Sequence, residues 1–194
     1  MSDCVDKLAF SSSPVYARKP IAMREILSPE QATEALRRIA SEVLSKCGGP
    51  KELALVGIRR GGVPLAEHIA RAIADETSCE VPIGSVDITL YRDDAQLPLA
   101  NPRIGRSEVG FDVTLKRIVL VDDVLFTGRT VRAALHALLD YGRAHSIQLA
   151  VLIDRGGREL PIQPDYVGRR IELATGRVEV VAVDAGFRAV AVDE

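Results

Sequence analysis

Two adjacent carboxylates, Asp122 and Asp123, are followed within a few residues by Thr127, Gly128, Arg129 and Thr130. The hydroxyls of Thr127 and Thr130 can donate to an anion, and Gly128 lets a backbone approach it closely. Val131, Ala134, Leu135, Leu138 and Leu139 then recur at helical spacing, so the turn opens a helix whose unpaired N–H groups and positive dipole end face that anion. The aspartates cannot serve the same anion, because two carboxylates repel it. They call for a cation or neutral hydroxyls, and the vicinal diol of a ribose beside a magnesium ion supplies both. The pattern predicts a site for a phosphorylated sugar. A receiver domain would carry its aspartate pair on the first strand and a later Lys, and none follows Lys116; a Walker loop would need a Gly-Lys-Ser/Thr sequence that is missing.

The elements around this turn follow from pattern. Ile118 to Val121 is an apolar run suited to a central parallel strand. Upstream, Ser28-Pro29-Glu30-Gln31 supplies a cap, a proline at the first helical position and first-turn acidic charge, with Ala35, Ile39, Ala40, Val43 and Leu44 as the apolar face and Gly48-Gly49-Pro50 as the stop after Cys47. Leu53 to Ile58 reads as a short buried strand, followed by Arg59-Arg60-Gly61-Gly62 and a helix carrying Leu65, Ile69, Ala70 and Ile73. Ile83 to Leu90 and Ile147 to Ile153 are two further strands. Between them, Tyr91 to about Asp112 is long, polar and broken by Pro98, Pro102, Gly105 and Gly110, as expected of a lid. Residues Val178 to Val183 and Arg188 to Val192 form a C-terminal β-hairpin across Asp184-Ala185-Gly186-Phe187.

Alternating strands and helices imply an α/β fold with a central parallel sheet flanked by helices, which collects ligands at the carboxyl ends of its strands. Arg59-Arg60, Asp122-Asp123 and Asp154-Arg155 should therefore surround one crevice. Residues 1–27 read as a flexible or partly extended arm, with Ser11-Ser12-Ser13-Pro14 within it, and 28–194 as a single domain. With 47% apolar residues, the chain can bury a real core, and its net charge of -2 argues against indiscriminate nucleic-acid coating. Cys4, Cys47 and Cys79 have no metal-ligand spacing, no run is long enough to span a bilayer, and no signal core opens the chain, so a cytoplasmic protein is expected. His68, His136 and His145 fall in or near helices and read as packing or surface residues.

Val119 to Thr130 resembles the diphosphoribose signature of the type I phosphoribosyltransferases. Asp87-Ile88-Thr89-Leu90-Tyr91-Arg92-Asp93-Asp94, Val131-Arg132-Ala133-Ala134-Leu135 and Gln148 to Ile162, with Asp154-Arg155-Gly156-Gly157-Arg158-Glu159 at its centre, narrow the resemblance to the PyrR family. Members of that family attenuate pyrimidine operons and are uracil phosphoribosyltransferases. The resemblance implies formation of UMP and diphosphate from uracil and 5-phosphoribosyl 1-diphosphate, with magnesium as cofactor. It implies that Val121, Asp122, Asp123, Val124, Leu125, Phe126, Thr127, Gly128, Arg129 and Thr130 bind the phosphoribosyl substrate. Of these, Asp122 and Asp123 hold the ribose hydroxyls, Asp123 stabilises the developing cation, and Asp122 is the carboxylate nearest to a role with the metal. Arg59, Arg60, Gly61 and the loop residue Arg106 would bind the diphosphate, with Arg92 and Arg103 as further loop arginines. Asp154, Arg155 and Val167, in Tyr166-Val167-Gly168, would line the base pocket.

The family also implies a homo-oligomer, dimeric or larger, and a messenger-RNA leader as partner. Against that partner, the Thr and His that RNA-binding members carry in the first helix are replaced by Arg37 and Ser41, beside Arg38. Gly61 stands where an Arg is usual, and Arg169-Arg170 where Lys-Asn is usual. An RNA-binding regulator with little catalysis, and a phosphoribosyltransferase for another base, are the alternatives.

Overall fold

The computed structural model describes residues 23–89, 107–184 and 186–193. Strand β1 (Met23–Leu27) leads into helix α1 (Pro29–Cys47), then β2 (Leu53–Ile58), α2 (Gly62–Thr77), β3 (Ile83–Val86), β4 (Arg117–Leu125), α3 (Arg129–Leu139), β5 (Ser146–Asp154), β6 (Tyr166–Arg170), β7 (Arg177–Val183) and β8 (Gly186–Val192). Helix α1 starts where its residues demand. The Ser28 hydroxyl accepts from the Gln31 N–H, the Gln31 side chain accepts from the Ser28 N–H, and Gly48 closes the other end in a left-handed conformation.

Strands β3-β2-β4-β5-β6, in that order, make a parallel five-stranded sheet. Helices α1 and α2 cover one face, packing Leu36, Ile39, Val43, Leu65 and Ile69 on Leu55, Val119 and Val121. Helix α3 covers the other, packing Val131, Ala134 and Leu138 on Val56, Leu120 and Val151. Leu139, expected on the buried stripe of α3, is 59% exposed because the helix ends there, while Ala133 and Ala137 are buried instead. No helix among the described residues is long and apolar enough to cross a membrane.

Three boundaries differ from expectation. The strand expected over Ile83 to Leu90 stops at Val86, because the Asp87 N–H turns away from the sheet to the Ser107 hydroxyl (2.9 Å). The acidic pair does not follow its strand but lies within it, since β4 runs on to Leu125. Met23–Leu27, expected in the flexible arm, is a strand: it pairs antiparallel with β8, which pairs with β7 to give a second, three-stranded sheet. The Ile26 carbonyl there accepts from Arg169 (2.7 Å), and Ile26 and Leu27 are buried in the α1-side core. The expected C-terminal hairpin is thus two strands of that small sheet.

Candidate active site

Chain order explains where a ligand can sit. From β2 the chain steps outward to β3 on one side, then returns to β4 on the other side of β2 and continues to β5 and β6. The loops after β2 and β4 leave in opposite directions, which opens a crevice between them at the carboxyl end of the sheet. A cleft of about 470 Å³ lies there, lined by Arg59, Arg60, Gly61, Asp87, Ile88, Thr89, Asp122, Asp123, Val124 and Thr130.

Helices α2 and α3 both point their N-termini at this cleft, and each leaves its first N–H groups without a cap from its N-cap side chain. Gly61 and Gly128 are the N-caps, and neither helix has an acidic residue in its first turn. The contrast with the capping box of α1 is informative: ends left open in this way suit anions. Gly128, with φ at 91°, makes the turn that a side chain would strain, and Thr127 Oγ1 accepts from the Arg129 N–H (3.3 Å).

Close packing brings α2 onto the acidic pair. A Cβ on Gly61 would collide with the Asp123 carboxylate, and one on Gly62 would collide with the Val121 carbonyl. Gly62→Ala is therefore expected to destabilise the fold by about 1–3 kcal/mol through overpacking. The readout is a lower denaturant midpoint at unchanged slope; an unchanged midpoint would mean that α2 can shift off the sheet at no cost.

The two aspartates differ in environment. Asp122 is 5% exposed, and burial first, then the neighbouring Asp123 charge, push its carboxyl well above the usual carboxylate range. The Asp123 N–H donates to Asp122 Oδ1 (3.0 Å) and opposes that shift in part. Asp123 is half-buried and accepts from the Val124 N–H (2.8 Å).

Other expected residues are placed less simply. Arg59 lines the cleft, donates Nε to Ser85 Oγ (3.2 Å) and pairs Nη2 with Glu108 Oε1 (3.2 Å); its peptide bond to the exposed Arg60 is cis. Val121 and Leu125 are core side chains at 1% exposure, so only their backbone can face a ligand. Arg129 turns its guanidinium to Glu159 (2.7 Å). Phe126 is exposed, with the Arg155 guanidinium stacked 3.9 Å from its ring centre. Arg106 and the other loop arginines lie outside the described residues.

Of the residues expected to line a base pocket, only some are brought together. Asp154 ends β5 with its carboxylate held by Arg158 (2.6 Å) and the Gly156 N–H (3.1 Å). Beside it, Gly156, Arg170, Ile171 and Glu172 complete a hollow of about 310 Å³ at the ends of β5 and β6. Arg155 is buried, donates Nη1 to the Gly176 carbonyl (3.0 Å) and leaves its Nε without a partner. Val167 is not at a strand end. It is the second residue of the edge strand β6, pairs with Val151 and packs on the α3-side core, short of the carboxyl end because β6 continues to Arg170. Its neighbour Tyr166 is buried with its hydroxyl on Gln148 (3.0 Å) and Lys46 over its ring.

Residues not anticipated for the site also belong to it. Val86 pairs with Ile58, so β2 and β3 end at one level, and Asp87 to Thr89 come to lie opposite Arg59. A sequence pattern reading on to Leu90 hid that level. No group of three or more His, Cys, Asp or Glu side chains able to hold a metal ion occurs among the described residues.

Comparison with known proteins agrees with this geometry. Residues 23–186 match the phosphoribosyl transferase domain family. A protein of Chloroflexus aurantiacus named Bifunctional protein PyrR is 56% identical over 148 residues, spanning 76% of this chain and 81% of that protein. A protein of the same name from Acetivibrio thermocellus is 54% identical over 159 residues, spanning 82% and 85%. Among solved structures, a hypoxanthine-guanine phosphoribosyltransferase of Bacillus anthracis is similar, with a TM-score of 0.63 at 17% identity, covering 88% of this chain and 99% of that one. A hypoxanthine phosphoribosyltransferase of Trypanosoma cruzi, in complex with IMP, gives a TM-score of 0.62 at 20% identity, covering 79% and 78%. Likeness at such identities speaks for the fold.

Proposed function

This chain belongs to the phosphoribosyl transferase family and, within it, to the PyrR family, and we propose that it forms UMP and diphosphate from uracil and 5-phosphoribosyl 1-diphosphate. The observation that carries this reading is the pair of open helix N-termini on either side of Asp122 and Asp123. A substrate with a phosphate at each end of a ribose has two anionic groups and a diol between them, and the cleft offers their complements in that order.

The chemistry breaks the bond from ribose C1 to diphosphate as a ring nitrogen of uracil arrives, so positive charge develops on the sugar. In this reading the N-terminus of α3, with the Thr127 and Thr130 hydroxyls, holds the 5-phosphate. Asp122 and Asp123 accept from the ribose hydroxyls, and Asp123 opposes the developing charge from a fixed position. Arg59, Arg60 and the N-terminus of α2 hold the diphosphate, which keeps the leaving group in line. The base enters from the Asp154 side, where neutral donors and acceptors of the backbone can read a flat amide ring.

The donor set fits magnesium. This ion takes one or two carboxylates and completes its shell with water and phosphate oxygens, so no cage of three protein ligands is required. Asp122, buried and raised by its neighbour, is the carboxylate that gains most from an adjacent cation. When bound, magnesium neutralises charge on the diphosphate oxygens.

The deciding assay is magnesium-dependent UMP formation from uracil, with hypoxanthine, guanine and cytosine as competing bases. UMP formed in preference to the other nucleotides is expected. Folded native protein that turns over none of them would refute the enzymatic reading, and preference for another base would refute uracil.

The name shared by the relatives supports a second activity, and the family resemblance makes it binding of a pyrimidine-operon leader RNA. On α1, Arg37, Arg38 and Ser41 are all exposed. Arg38 donates to the Val167 and Gly168 carbonyls (3.2 and 2.7 Å) and pairs with Glu42, while Ser41 donates to Glu76 (2.8 Å). Arg37 lines a groove with Asp75 and Glu76. The test is leader against scrambled RNA at fixed salt, with and without UMP. Preference for the leader supports the regulator; equal affinity removes it.

A further inference from the structure

Arg158 sits just beyond β5, with its side chain 13% exposed. Its guanidinium donates Nη2 to Asp154 Oδ1 (2.6 Å), Nη1 to the carbonyls of Phe126 and Gly156 (3.1 Å each), and Nε to the Ile162 carbonyl (3.0 Å). These partners come from three places: the end of β5, the loop after it, and the turn that opens α3.

The Phe126 carbonyl immediately precedes the turn of 127–130. The next carbonyl along, that of Thr127, accepts from the Glu159 and Leu160 N–H groups (3.0 and 3.1 Å). The side chains of Leu160 and Ile162 lie 3.4 Å from where a Cβ on Gly128 would be. The segment 156–162 is therefore a buttress under the turn, and it has no helix or strand of its own. Arg158 ties that buttress to the rigid end of β5 through a carboxylate that is itself 10% exposed. Only a planar fork with several fixed donors can reach a carboxylate and three carbonyls at once.

We infer that Arg158 is a positioning residue for the phosphorylated-sugar subsite: it holds the backbone of 126–128 at the height where its N–H groups meet a 5-phosphate. This rests on the phosphoribosyl reading of the cleft. The diphosphate subsite, formed after β2, shares none of these contacts, so the effect is confined to one end of the substrate.

The test uses the two halves of the substrate as separate probes. Ribose 5-phosphate and inorganic diphosphate are titrated calorimetrically into the full chain and into Arg158→Gln and Arg158→Lys, with thermal midpoints recorded for each. Arg158→Gln is expected to weaken ribose 5-phosphate by about ten-fold or more while diphosphate stays within about two-fold, since a misplaced subsite loses affinity without touching its neighbour. Arg158→Lys, which keeps a donor for Asp154 but not the fork, should recover part of the loss. Unchanged ribose 5-phosphate affinity in Arg158→Gln, or equal loss of both probes with a lowered midpoint, would overturn the inference and leave the functional reading standing. Native protein that binds neither probe would overturn both.

Discussion

Asp123→Asn is expected to lower the rate of UMP formation by about 10²–10³-fold, the usual cost of removing one preorganised charge from a site of developing charge. Asparagine keeps the shape of the side chain, and its carbonyl oxygen can still accept from the Val124 N–H. What is lost is the negative charge beside the sugar carbon in the proposed complex. The loss should appear in kcat as well as in kcat/KM, because the interaction strengthens only as the ribose becomes cationic. Steady-state kinetics with varied phosphoribosyl diphosphate, alongside a thermal midpoint, make the check. A variant within about three-fold of native kcat would remove Asp123 from the proposed mechanism, since far less than one preorganised charge would have been lost.

The second large effect is on stability and has the opposite sign. Asp122 is buried beside another carboxylate, and its proton is held more tightly in the fold than in the open chain. A folded state that binds the proton more tightly gains stability at acid pH. That gain is complete below the ordinary carboxylate pKa of about 3.9 and is lost as pH rises through the raised folded value. At neutral pH the chain thus carries the full cost of ionising Asp122 or of keeping it protonated. Asp122→Asn removes that cost and can keep the hydrogen bond from the Asp123 N–H. The variant should melt higher than native at pH 7, by about 2–4 °C for each kcal/mol relieved. The difference should shrink toward pH 4, and turnover should fall. A lower midpoint at pH 7, or a difference independent of pH, would contradict the assignment. With the expected outcomes, the acidic pair divides its effects: Asp122→Asn stabilises the fold while lowering turnover, and Asp123→Asn acts on turnover through its lost charge.

Much of the frame was legible because local rules and tertiary packing agree. Ser28, Pro29 and Gln31 start α1 by satisfying its own N–H groups, and Gly48 ends it, so no distant residue is needed. The apolar runs of β2, β4 and β5 are buried on both faces by helices and read as such. Leu139 departs from its apolar periodicity because α3 ends there, and β3 stops at Val86 because the Asp87 N–H donates to Ser107, although Ile88 beyond it stays buried. The strand at Met23–Leu27 was hidden because its pairing partner, β8, lies at the other end of the chain.

Within the site, residue types announced the chemistry but not the arrangement. The aspartate pair, the threonines and Gly128 are a local pattern, close together in the chain and readable without coordinates. The resemblance to a family rests on those same contiguous residues. Val167 shows the limit: its neighbours in sequence point to a base pocket, yet the continuation of β6 to Arg170 keeps it short of the strand's carboxyl end. Asp87 shows the converse, a residue carried to the cleft only by the register of β3 on β2.

By itself, then, the sequence determined a parallel α/β chain with a Thr- and Gly-containing turn between a buried strand and a helix, because strand burial, helix capping and the turn all act over a few residues. Tertiary structure alone decided that the strand order reverses between β2 and β4, which sets Gly61 against Asp123 and Arg59 in the same cleft. It alone made Asp122 a buried acid and Asp123 a half-buried one, although they are adjacent and identical, because desolvation depends on what packs over a side chain. And it drew Arg158 under the turn it braces, since four acceptors from three segments meet only when the sheet has brought the ends of β4 and β5 to one level.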